Sequence, residues 1–253
     1  DMNTLVTDYA ILAVSIAVFG IGGAVKGIFG IGLPIVVVTL LGLVMEPIEV
    51  IALLPIAIMA TNIRQFFFGS VDPSTVSRRY AIFALALIVP MALSAFWILH
   101  VPTRLIQLLT GVSVCLFATT SLFGLRPKVG GGWLWQMVMG LISGAIGGLT
   151  SIWGPTMTMY LMARNIDKDE FIAAIGFLFL VGSVPLIVGL FLSGVITADV
   201  LFLSAICTVV ALISMWMGEK IRGRLSEERF RRVVLIFFLL MGIRLVVIGL
   251  LPL

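Results

Sequence analysis

Two stretches decide how this chain folds. The first reads Gly22-Gly23-Ala24-Val25-Lys26-Gly27-Ile28-Phe29-Gly30-Ile31-Gly32-Leu33-Pro34, the second Gly144-Ala145-Ile146-Gly147-Gly148-Leu149-Thr150-Ser151-Ile152-Trp153-Gly154-Pro155. Each closes a long apolar run and ends on a proline that opens a shorter one, at 34–45 and 155–164. Proline suits the first turn of a helix, where its missing N–H costs nothing. Glycine permits positive φ and close backbone approach. The pattern predicts a helix that breaks and restarts as a short half-helix.

The rest of the sequence says where such a break would lie. Of 253 residues, 61% are hydrophobic and 11% are charged, where an average soluble domain has about 25% charged. Mean hydropathy is +1.23. This excludes a water-soluble globule, a disordered or collagen-like chain, and a nucleic-acid-binding protein. One histidine and two cysteines, Cys115 and Cys207, leave little for a metal site, a Cys/His catalytic pair or a disulfide scaffold. No cofactor and no metal are expected. A spanning helix needs roughly 20 apolar residues. Such segments lie at 9–29, 48–68, 79–99, 103–123, 133–152, 168–192, 197–217 and 230–250.

Shifting the chain by 121 residues superposes it on itself without gaps: Gly23-Ala24 falls on Gly144-Ala145, Gly27 on Gly148, and Pro34 on Pro155. Glu46 falls on Asp167, Glu49 on Glu170, and Ile51-Ala52 on Ile172-Ala173. The chain thus reads as two transmembrane repeats, 1–125 and 126–253. Each holds about five segments, including a Gly-rich broken helix and a half-helix. If each half crosses five times, 13 of the 16 basic residues fall on one side. They are Arg64, Arg78, Arg79, Arg126, Lys128, Arg164, Lys168 and the six from Lys220 to Arg232. That side is cytoplasmic by the positive-inside rule, so both termini are expected outside. An odd number of crossings inverts the second half. The fold class expected is all-α: a polytopic helical membrane protein with two inverted repeats. Inverted repeats with discontinuous helices mark secondary transporters, with the site near the midplane.

The breaks supply the candidate site. Backbone in lipid survives unpaired only inside protein or beside a wet cavity. Each half-helix presents free N–H groups and a partial positive charge, and two such ends facing each other would hold an anion. Gly27, Gly30, Gly32 and Pro34, with Gly148, Gly154 and Pro155, shape this site; close helix packing is the alternative use of the glycines. Lys26 is a charge deep in the first segment and a functional candidate by default. Thr150, Ser151 and Thr156 offer hydroxyls, Trp153 a wall and Asn62 an amide. Glu49 and Glu170 open matching helices, where carboxylates commonly cap; they are also the candidates for coupling to H+ or Na+. Gln65 is expected at the interface, and Arg244 to snorkel from the last helix.

At the two breaks the sequence resembles the TauE/SafE family of sulfite exporters, also described as sulfonate-uptake permeases. The likeness rests on Gly23, Gly27, Gly30, Gly32 and Pro34, and on Gly144, Gly148, Gly154 and Pro155, each set followed by a short apolar run and an acidic turn. It spans nearly the whole chain as two related halves. The second break departs from a plain glycine pattern with Thr150, Ser151 and Trp153. The resemblance implies transport of small anions, often sulfite or organosulfonates, across a bacterial or archaeal inner membrane. The expected partners are therefore a small anion and the lipid bilayer. The expected function is a secondary transporter working by alternating access, with an anion channel as the alternative. No H-E-x-x-H, paired catalytic carboxylates or Ser/His constellation points to an enzyme.

Overall fold

The computed structural model describes residues 9–69, 71–124, 130, 132–164, 166–221 and 227–251. Arg126, Lys128, Arg222 and Arg224, counted above toward the basic face, lie outside the described residues. The elements are α1 (Tyr9–Phe29), α2 (Leu33–Leu41), α3 (Pro47–Phe67), α4 (Pro73–Arg79), α5 (Ala81–Phe96) and α6 (Thr103–Phe123). The second half contributes α7 (Trp133–Thr150), α8 (Gly154–Ala163), α9 (Lys168–Leu192), α10 (Ala198–Ile221) and α11 (Glu227–Leu250). Seven of these helices are long and apolar enough to cross a membrane, and the bent pair α4–α5 makes an eighth candidate. Large apolar side chains such as Leu85, Val89, Phe191 and Val233 face outward, as lipid contact requires.

The expected segment at 79–99 is not one straight helix. α4 and α5 meet at 69°. Asp72 accepts the Thr75 N–H at 3.0 Å and Pro73 follows it, a strong helix-start pair. It launches α4 earlier than hydropathy alone suggests, and Tyr80 marks the corner.

The packing is symmetric under exchange of the halves. α1 lies on α10, as α7 lies on α5. α3 meets α10 as α9 meets α5, and α2 meets α11 as α8 meets α6. The first helix of each half therefore docks on the matching helix of the other half, α10 or α5, through glycine. A Cβ on Gly23 would stand 2.4 Å from Ala211 O, and one on Gly27 2.2 Å from Met215 O. Their repeat partners behave alike: Gly144 would meet Leu87 O at 2.4 Å and Gly148 would meet Met91 O at 2.4 Å. Small residues let backbones approach where lipid gives no hydrophobic drive. Both pairs run parallel. The last helices of the halves, α6 and α11, run antiparallel: Gly111 faces Gly242 and Val246, while Gly249 faces Arg104 and Leu108.

Candidate functional site

Each broken helix closes in the same way. α1 ends with the Gly30 N–H donating to Lys26 O at 2.7 Å, and α7 ends with the Ser151 N–H donating to Gly147 O at 2.8 Å. Gly30 has φ 81 and Ser151 φ 55, the left-handed cap common at helix C-termini. Each cap then rests on the third helix of the opposite half. Ser151 Oγ donates to Ile51 O at 3.3 Å. That carbonyl lost its own helical donor because Pro55 sits four residues on. Gly30 lies against Ile172, the residue that repeats Ile51.

Beyond the caps, α2 and α8 begin almost together. Gly32 is the N-cap of α2 at φ 115, with Pro34 just inside; Trp153 is the N-cap of α8, with Pro155 just inside. The first-turn N–H groups of both helices have no intrahelical acceptor. Gly32, Pro34, Gly154, Thr158, Phe117 and Phe179 line one crevice of about 10 Å³ between these ends, room for one water at most. It shares Ile31, Gly32, Phe117 and Thr158 with a cavity of about 580 Å³.

Lys26 is 2% exposed. Its Nζ donates to Asn62 Oδ1 at 2.7 Å and lies 5.4 Å from the centroid of the Phe179 ring. Asn62 is oriented for this by donating its Nδ2 to Ile58 O at 2.7 Å. No carboxylate pairs with Lys26 among the described residues; the two ion pairs there are Arg64–Glu219 and Arg79–Glu170. An ammonium buried without a counter-ion is expensive. Phe179 stacks on the fully buried Trp153, centroids 4.7 Å apart, and the Trp153 indole N–H has no partner.

The structure separates the other sequence candidates. Gly27 and Gly148 lie in the α1–α10 and α7–α5 contacts, where neighbouring backbone fills the space beside them. Thr150 Oγ1 is used within its own break, donating to Ile146 O and accepting the Ile152 N–H. The Thr156 hydroxyl pairs with Ser143 at 2.6 Å and with Trp153 O. Gln65, expected at the interface, is buried; it donates to Ile172 O while its Oε1 has no partner. Glu49 sits half-buried in the first turn of α3. Glu170 accepts from Arg79 and from Tyr80 Oη, each at 2.7 Å, while Asp167 caps α9. Arg79 is 45% exposed and Glu170 14%, and a glutamine oxygen can still accept from Tyr80 Oη, so Glu170→Gln should cost about 1 kcal/mol of stability; thermal unfolding of the purified variant checks this.

Sequence reasoning passed over Thr158 and Phe179. Thr158 lines both spaces and its hydroxyl is buried without a partner. A helical register from Gly154 would have placed it one turn inside α8. Nothing in the sequence marked Phe179 among 17 phenylalanines.

The sequence model of the family described as sulfite exporter TauE/SafE matches residues 15–245. No curated protein and no solved structure matches the chain.

Proposed function

The chain belongs to the TauE/SafE family of sulfite exporters, and on that premise we propose that it is a secondary transporter of a small oxoanion, sulfite or an organosulfonate. The family is one of membrane anion transporters, not enzymes. The observation that carries the reading is Lys26: a buried lysine with no carboxylate partner among the described residues, set against Phe179, which lines the crevice between the two half-helix N-termini. An anion between those ends would meet free N–H groups and two positive dipole ends. Lys26 adds charge from behind Phe179, where weak screening keeps its field effective. Asn62 positions Lys26.

The two repeats, 1–125 and 126–253, are read as inverted. The antiparallel packing of their last helices supports this, since an in-plane two-fold axis turns equivalent helices end for end. The cavity then opens toward the basic, cytoplasmic side. Its wall includes Ile31, Met162, Phe171, Ile172 and Leu235. The repeat-equivalent positions Ile152, Leu41, Val50, Ile51 and Val114 are fully buried. One access path is open while its counterpart is closed, as alternating access requires and an open channel does not. In proteoliposomes the protein should give saturable uptake of labelled sulfite or an organosulfonate. Absence of protein-dependent flux of any such oxoanion would remove the proposal.

A further inference from the structure

The larger cavity is a poor place for a bare oxoanion. Among the described residues its walls are Val25, Ile28, Phe29, Phe171, Leu235 and Phe238, with Thr158 and Ser121 the only hydroxyls and no charged side chain in the lining. A sulfite-sized ion, about two waters at ~30 Å³ each, would leave most of its volume as solvent against hydrocarbon. At about 580 Å³ it falls in the range of sites that enclose organic ligands and are lined mainly by apolar and aromatic groups.

We infer that the transported anion carries an apolar tail, which lies in this cavity while its oxoanion head meets the N-termini of α2 and α8. The inference rests on the anion-site reading above and specifies its substrate. The two spaces adjoin, sharing Ile31, Gly32, Phe117 and Thr158 in their walls, so a molecule whose tail fills the cavity has its head at the mouth of the crevice. Thr158 marks the junction. It is 3% exposed and its hydroxyl has no partner among the described residues, which is costly unless a ligand supplies one. Its repeat equivalent is Val37, so this hydroxyl has no counterpart in the first half. A lipid chain would suit the walls but has no use for the buried hydroxyl or the helix N-termini. A monoanion with an aliphatic or aromatic tail uses all three.

The test is binding to the full chain in lipid nanodiscs, with partition into empty nanodiscs subtracted. The probes are sulfite, the linear alkanesulfonates from methanesulfonate to hexanesulfonate, and hexanol. Affinity should rise about three- to fourfold per methylene, with hexanol far weaker than hexanesulfonate. Met162→Trp and Leu235→Trp, which fill the cavity from two separate helices, should each abolish the gain per methylene. Affinity independent of chain length, with sulfite still bound, would overturn the tail while leaving the anion site. Equal binding of hexanol and hexanesulfonate would make the cavity a lipid space and overturn it too. If no anion of any length binds, the anion site itself fails.

Discussion

Lys26→Met should weaken oxoanion binding at least about 30-fold, and transport with it, while the folded protein keeps or gains thermal stability. Removing one member of a buried, hydrogen-bonded charge pair costs about 2–5 kcal/mol of binding, which sets the affinity loss. The stability sign comes from a different balance. The substitution leaves Asn62 Oδ1 without the donor it now has at 2.7 Å, a cost of about 1–3 kcal/mol. It also removes a lysine amine that is 2% exposed and faces no carboxylate among the described residues, and burying its charge costs several kcal/mol. The second effect is the larger. A structural lysine would behave the other way, losing stability and keeping the anion. Asn62→Leu supplies the contrast: it strips Lys26 of its one side-chain acceptor and should lower stability. Ligand-binding isotherms and thermal unfolding on the same three preparations decide the matter.

Gly148→Leu should prevent the protein from accumulating in folded form. A Cβ there would stand 2.4 Å from Met91 O and 2.8 Å from Ala95 N. Both contacts are backbone of α5, so no side chain can swing aside. The helices must separate along their length, and overpacking costs about 1–3 kcal/mol or more even where side chains can adjust. Gly27→Leu should fail in parallel, because Met215 O and Glu219 N occupy the matching space on α10. Gly132→Ala is the control; nothing lies within 4 Å of its added carbon. Size-exclusion profiles of the solubilised proteins read the outcome. A monodisperse Gly148→Leu protein with lowered anion affinity would return that glycine to the site.

These two results weigh the two readings that the glycine-rich breaks allow. From sequence, Gly27 and Gly30 look alike, since both offer small size and free φ. The structure divides them: Gly27 is helical and packs, while Gly30 turns the chain at φ 81. Only the neighbour across the interface distinguishes them, and that neighbour is about 190 positions away in the chain. The half-helices were legible because proline and glycine act locally: α2 and α8 begin at Leu33 and Gly154, beside the prolines that announced them. The 79–99 segment is met by α5, but the short helix α4 before it was missed because hydropathy does not register the Asp72–Pro73 helix start. The serine and threonine hydroxyls of the second break have protein partners that the sequence does not reveal. Thr150 donates to Ile146 O in its own helix, and Ser151 donates to Ile51 O on α3 of the other half. Thr158 was missed because one threonine in an apolar run is normally satisfied by its own helix, and this one is not.

Counterflow of a labelled alkanesulfonate tests the account most directly. Proteoliposomes loaded with the unlabelled alkanesulfonate are diluted into a trace of label. A carrier that alternates around the Lys26 site must exchange one for the other. The account predicts a transient accumulation of label above its final equilibrium value, absent from liposomes bearing Lys26→Met. Label that enters with no overshoot, or an overshoot of the same size in Lys26→Met, would contradict it.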